Sequence, residues 1–178
     1  YMTYLTPCVQ IMLRFCLNVA FGFFTQMPPK TCQVFKVFAS TMSAHNSHIN
    51  PLLTDLYQLT MCYAYWKAGR HLLPSTFDVF FRKNPFHGEY TLFAGLDDVL
   101  HYLDTWHMTA DDLHFLQTQV LPHAEPAFFE YLQHLDCSQV SVHAVAEGSV
   151  VFPREPLLRI DGPLGICQLL ETTILNLT

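Results

Sequence analysis

The 178-residue chain has few charges, few glycines and no clustered metal ligands, and each scarcity removes a class of function. Charged residues make up 13% of it, and 51% are hydrophobic. That is a globular composition, because disordered chains are rich in charge and poor in aromatics. With only 7 glycines, it has no Gly-rich phosphate loop of the Walker or dinucleotide type, and no Gly-x-Ser-x-Gly either. Six cysteines stand at 8, 16, 32, 62, 137 and 167, with no Cys-x-x-Cys spacing that would suit zinc or redox chemistry. Buried free thiols in a reducing cytosol are the expectation. None of the ten histidines forms a His-x-x-x-His pair with a third ligand in reach, so no metal site is expected. The longest apolar stretch, Val9 to Phe24, is interrupted by Arg14, Asn18 and Gly22 and is shorter than the ~20 residues of a membrane helix. It also lacks the basic start and clean apolar run of an export signal.

Acid is missing altogether from residues 1–41, which carry Arg14, Lys30 and Lys36 for a charge of +3, against −9 for the remainder and −6 overall. A body at −9 with no basic patch is a poor ligand for nucleic acid. A few local cations would still suffice for a phosphorylated small molecule. The chain begins at Tyr1, and Met42 opens a small polar leader, Met42-Ser43-Ala44-His45-Asn46-Ser47-His48. Residues 1–41 are therefore expected to be a non-native or unstructured extension, with a genuine extension and an export signal as the alternatives.

From Asn50 the punctuation is regular. Asn50-Pro51 marks a turn, and Thr54 is expected to cap a helix that runs to Ala68 and stops at Gly69. Leu56, Leu59, Tyr63 and Trp66 share one face of it, and Tyr57, Met61, Ala64 and Ala68 a second, as in a helix wedged between two surfaces. Thr76 to Arg82 reads as a strand, and Tyr90 to Ala94 as its hairpin-like return after the turn Asn84 to Gly88. Helices follow from Gly95, with Leu96, Val99, Leu100 and Leu103 inward, and from Thr109, ending before Pro122. Another starts at Glu125-Pro126, with Phe128, Phe129, Leu132 and Leu135 buried. Strands are expected over Val140–Val145, Val150–Phe152 and Leu157–Ile160, then an apolar helix from Leu164 to Leu177 that carries Glu171. The order predicts an α+β fold. Asp97-Asp98 and Asp111-Asp112 fall in first turns of helices, where solvated partners of the helix dipole are the simplest reading.

Seven short motifs then occur in one order. They are Pro51-Leu52-Leu53-Thr54-Asp55-Leu56-Tyr57-Gln58-Leu59-Thr60-Met61, Phe80-Phe81-Arg82-Lys83-Asn84-Pro85-Phe86, Ala94-Gly95-Leu96, Pro126-Ala127-Phe128-Phe129 with Leu135-Asp136-Cys137, Glu147-Gly148-Ser149, Phe152-Pro153, and Gln168-Leu169-Leu170-Glu171-Thr172. In that order they resemble the N-terminal part of nicotinate phosphoribosyltransferases. The resemblance implies the N-terminal α/β domain of a type II phosphoribosyltransferase over 42–163, with 164–178 as the first helix leading into an irregular α/β barrel that this chain does not reach.

It further implies a cytosolic homodimer that joins nicotinate to phosphoribosyl pyrophosphate in NAD synthesis, driven by ATP hydrolysis, with Mg²⁺ or Mn²⁺ on the phosphates. No catalytic residue is expected in this part, and the chain alone is expected to be inactive. Tyr57 matches a tyrosine that stacks on nicotinate across the dimer; a plain core aromatic is the alternative. Arg82 matches an arginine that reaches phosphate, the alternative being a surface cation at a strand end. Asp55 is a weaker match for a residue that orients polar groups around the base, since an aspartate there also suits the helix dipole. Nicotinamide phosphoribosyltransferase shares the Asp-x-Tyr opening and is the nearest rival, and a non-enzymatic chain that only pairs with full-length subunits is another.

Overall fold

In the computed structural model, residues 48–178 are described, together with the backbone of Met12–Arg14 and Gln33–Phe35. The expectation for residues 1–41 otherwise lies outside the described residues.

Five strands form one antiparallel sheet in the order β1-β3-β7-β5-β2: β1 (Met12–Arg14), β2 (Gln33–Phe35), β3 (Pro74–Val79), β5 (Ser141–Ala144) and β7 (Leu158–Pro163). A second sheet has only β4 (Thr91–Leu92) and β6 (Val150–Val151). The helices are α1 (Leu56–Lys67), α2 (Leu96–Thr105), α3 (Ala110–Phe115), α4 (Pro126–Gln133) and α5 (Leu164–Leu177). Helix and strand are mixed as expected.

Period-two alternation decides the main sheet's two faces. Phe77 lies opposite Ile160, which lies opposite Val142, and all three are buried. Val79, Leu158 and Ala144 form the next buried row. On the other face Thr76 donates to Asp161, which also meets His143 and Arg159, both at 3.4 Å. Helix α5 closes the apolar side, burying Leu164, Ile166, Leu169, Leu170 and Ile174. Burying a side chain of this size contributes about 1.5–3 kcal/mol before entropy is counted.

Several expectations are corrected. Tyr90–Ala94 does not return along β3. β3 pairs with β1 and β7, while β4 pairs with β6, Thr91 opposite Val151 and Leu92 opposite Val150. Between them Phe86 and His87 take left-handed backbone angles, φ 53° and 58°, in a short 3-10 turn at Pro85–His87, so this is no tight hairpin. β3 also starts earlier and ends earlier than expected, at Pro74–Val79. The cap of α1 is Asp55 rather than Thr54. The helix from Thr109 starts as expected, with a capping box to Asp112, but after Phe115 it widens into a π turn over Leu116–Val120. In α2, Tyr102 takes the buried position expected of Leu100, which is half-buried. Leu135 falls past the end of α4 and is likewise half-buried.

Helix α2 opens on Gly95, whose φ is 98°. A Cβ there would stand 1.8 Å from the backbone oxygen of Leu177, so only glycine lets α5 approach this closely.

Candidate functional site

Helix α1 is apolar on two faces, yet only one is covered. Gln58, Leu59 and Cys62 are buried, whereas Leu56, Tyr57, Ala64 and Ala68 are exposed and Met61 is half-buried. Leu56 was expected to pack with Leu59; it stands 59% exposed instead, because the buried stripe centres on Gln58 and Cys62.

The first turn of α1 is fastened to the second turn of α5 by polar side chains. Gln58 is fully buried. Its Oε1 accepts the backbone N–H of Asp55 at 2.9 Å and also the hydroxyl of Thr54. Its Nε2 donates to the carbonyl of Gln168 at 2.9 Å. The hydroxyl of Thr172 lies 2.8 Å from Asp55 Oδ2 and 2.8 Å from Gln58 Oε1, and its one hydrogen suits the charged carboxylate better. Gln168 Nε2 in turn donates to Glu171 Oε2 at 3.0 Å. The Gln168 Oε1 is buried with no partner among the described residues.

Tyr57 stands at the rim of this network, 45% exposed. Its phenol is pushed well above the ordinary tyrosine range, first by partial burial, then by a hydrogen bond to Glu171 and the negative charges of Glu171 and Asp55. The phenol therefore keeps its proton throughout the neutral range.

Asp55 and Tyr57 are thus brought together by α1. Arg82 is exposed, just beyond β3, and no contact among the described residues links it to that pair. Its neighbour Phe81 accepts the backbone N–H of Arg154 at 2.7 Å, which brings Arg154, at φ 70°, beside the same strand end. Gln58, Gln168, Glu171 and Thr172 have no role among the sequence-based expectations. The available signal was four polar residues set into apolar helices.

The remaining chemistry is bland. A cavity of about 420 Å³ lies elsewhere, lined by Leu72, Tyr131, His134, Asp136 and Ile166 among others, and includes none of Asp55, Tyr57 and Arg82. Cys62, Cys137 and Cys167 are free and buried, as expected, and burial pushes the Cys62 thiol up to about 12 and that of Cys167 to about 11. Such thiols are poor nucleophiles. Among the described residues, no three His, Cys, Asp or Glu side chains come together to hold a metal ion, and no helix is long and apolar enough to cross a membrane.

Residues 52–178 match the family model for the nicotinate phosphoribosyltransferase (NAPRTase) N-terminal domain. The chain belongs to the nicotinate phosphoribosyltransferase family. It is 55% identical over 136 residues to a nicotinate phosphoribosyltransferase of Caenorhabditis elegans, covering 76% of this chain and 24% of the relative. Identity to nicotinate phosphoribosyltransferase 2 of Arabidopsis thaliana is 56% over 132 residues, 74% of this chain and 24% of that one. The crystal structure of human nicotinic acid phosphoribosyltransferase superposes with a TM-score of 0.65 at 48% identity, covering 70% of this chain and 25% of that one. The chain thus spans about a quarter of the length of these family members. The fold described above is their N-terminal domain.

Proposed function

We propose that this chain is the substrate-orienting N-terminal domain of an enzyme of NAD synthesis from nicotinate. In the reaction, the pyridine nitrogen of nicotinate replaces pyrophosphate at the ribose carbon of phosphoribosyl pyrophosphate, with ATP hydrolysis driving the step, to give nicotinate mononucleotide. Mg²⁺ or Mn²⁺ enters on the phosphates of the substrates. The described residues hold no cluster of three His, Cys, Asp or Glu side chains for it. The enzyme is read as a cytosolic homodimer, and the 178-residue chain alone as inactive, since charge stabilisation in such a transfer needs a complete, preorganised site.

The observation that carries this reading is Tyr57 standing 45% exposed on the uncovered face of α1. An electron-poor pyridine gains about 1 kcal/mol from stacking on such a ring beyond the burial itself. The uncovered face allows that partner ring to belong to the second subunit's site. Asp55 is read as orienting polar groups beside the base, and Arg82 as a bidentate contact to phosphate.

The test is Tyr57→Ala in the full-length enzyme, which is expected to raise the KM for nicotinate and to leave that for ATP nearly unchanged. An unchanged nicotinate KM refutes the role. For action across the dimer, a chain carrying Tyr57→Ala together with an inactivating change in the rest of the enzyme is mixed with wild type. Both sites of the mixed dimer should then be damaged, and one fully active site would show that the tyrosine serves its own subunit.

A further inference from the structure

The β4–β6 ribbon is apolar on both faces, and only one of them is covered. Thr91 lies opposite Val151 and Leu92 opposite Val150, so by the same register Tyr90 falls opposite Phe152. Side chains alternate between the two faces along each strand. Phe93 and Val151 point inward, and both are buried. Tyr90, Leu92, Val150 and Phe152 share the outer face, each between 47% and 58% exposed. An antiparallel pair with one face in water usually carries polar side chains there. Four large apolar ones set two by two, with no charge among them, mark a contact surface instead.

Two observations identify the occupant. The first is where α5 ends. The ribbon runs on through Phe93, whose N–H donates to the Ser149 carbonyl at 2.9 Å, to Gly95, where a Cβ would collide with the Leu177 oxygen and stand 3.4 Å from the Thr178 Cα. The end of α5 thus lies against the residue three positions along from Leu92. In the family members, about four times as long as the part matched here, that part is the N-terminal domain, so the remainder follows the counterpart of α5. The second is the size of the patch. A lasting contact between separate proteins buries about 800 Å² on each. Four half-exposed side chains supply much less, whereas a segment joined covalently is held at high effective concentration and needs only a small face.

We propose that the outer face of β4 and β6 is the docking surface for the chain that continues from α5 in the full-length enzyme, which lays an apolar face of its own across Tyr90, Leu92, Val150 and Phe152. The inference rests on the proposed function only in taking this chain as the N-terminal part of a longer enzyme. It uses neither the reaction nor Tyr57, so the nicotinate KM of Tyr57→Ala and the measurements below stand or fall separately.

Two measurements on the full-length enzyme test it. Leu92→Cys and Val150→Cys are each treated with a water-soluble maleimide, and the rate at that position is followed by peptide mass spectrometry. A covered thiol should react about tenfold more slowly, or slower still, in the native enzyme than in urea. Rates that match would show an open face and overturn the proposal. The photo-cross-linker p-benzoylphenylalanine is then placed at Leu92, or at Phe152 should that variant not fold. Irradiation is expected to leave a band of monomer mass whose linked peptide lies beyond residue 178. A band of dimer mass would assign the face to a second copy, and a link back into residues 48–178 would assign it to this domain itself. Either result overturns the proposal, as does the absence of any cross-link.

Discussion

The side-chain amide of Gln58 donates to the backbone carbonyl of Gln168 at 2.9 Å, joining two helices whose contact residues are 110 positions apart. Gln58 is fully buried and also accepts from Asp55 and Thr54, so its removal strands several polar groups at once.

Gln58→Leu, close in volume, should therefore destabilise the domain by about 3 kcal/mol, most of it from unpaired donors rather than lost packing. Urea unfolding monitored by tryptophan fluorescence measures it. A loss below about 1 kcal/mol would mean that water replaces the amide at this seam.

Gly95→Ala should cost about 3 kcal/mol or more, since the added carbon would stand 1.8 Å from the Leu177 oxygen at φ 98°. Gly148→Ala is the control. Its φ of 79° is equally left-handed, but nothing lies within 4 Å of the added carbon, so only the backbone cost applies. That cost is about 1 kcal/mol. Thermal midpoints of the two variants, compared side by side, should keep this order.

Glu125 carries a pH signature. Lys67 at 2.9 Å and the hydroxyl of Tyr63 both bond to its carboxylate and lower its pKa from 4.5 to about 2. A depressed folded-state pKa contributes stability above the unfolded value and loses it as pH falls through the folded one. The contribution should therefore be complete above about pH 4.5 and vanish progressively toward pH 2. Both partners are solvent-exposed, which keeps the effect small and sensitive to salt. Lys67→Met should be less stable than wild type at pH 6 in low salt, and the gap should close toward pH 2 and in 1 M salt, as read by denaturation curves.

Arg82→Ala in the full-length enzyme should raise the KM for phosphoribosyl pyrophosphate by about tenfold or more and leave stability nearly unchanged, because the side chain is exposed in this domain. Arg82→Lys should recover only part of the affinity, since an ammonium cannot make the bidentate contact. Unaltered kinetics in Arg82→Ala would reduce the residue to a surface cation.

Much of the fold was legible along the chain. The helix start at Thr109 with Asp111-Asp112 in its first turn, the proline start of α4 and the alternation Val140–Val145 are local signals, and the helices and strand they announce lie where expected. The wrong hairpin had a non-local cause. β3 has two apolar positions, Phe77 and Val79, and the partner that buries them best is β7 with Leu158 and Ile160, some eighty residues away. Asp55 and Tyr57 could be singled out as candidates from their motif. The contact of Thr172 with Asp55 and Gln58 could not, because no spacing relates residues on different helices.

The sequence by itself determined where the helices and most strands beyond Asn50 lie, the burial of the described cysteines, and the family, since periodicity, caps and motif order are all properties of neighbours along the chain. Tertiary structure alone decided which strand pairs with β3, which face of α1 is covered, and which side chains of α5 meet the first turn of α1. The physical reason is that a residue's pattern tells how much of it must be hidden from water but not by what. That choice follows from summed burial and from the pairing of every buried polar group, which only the folded chain can satisfy together.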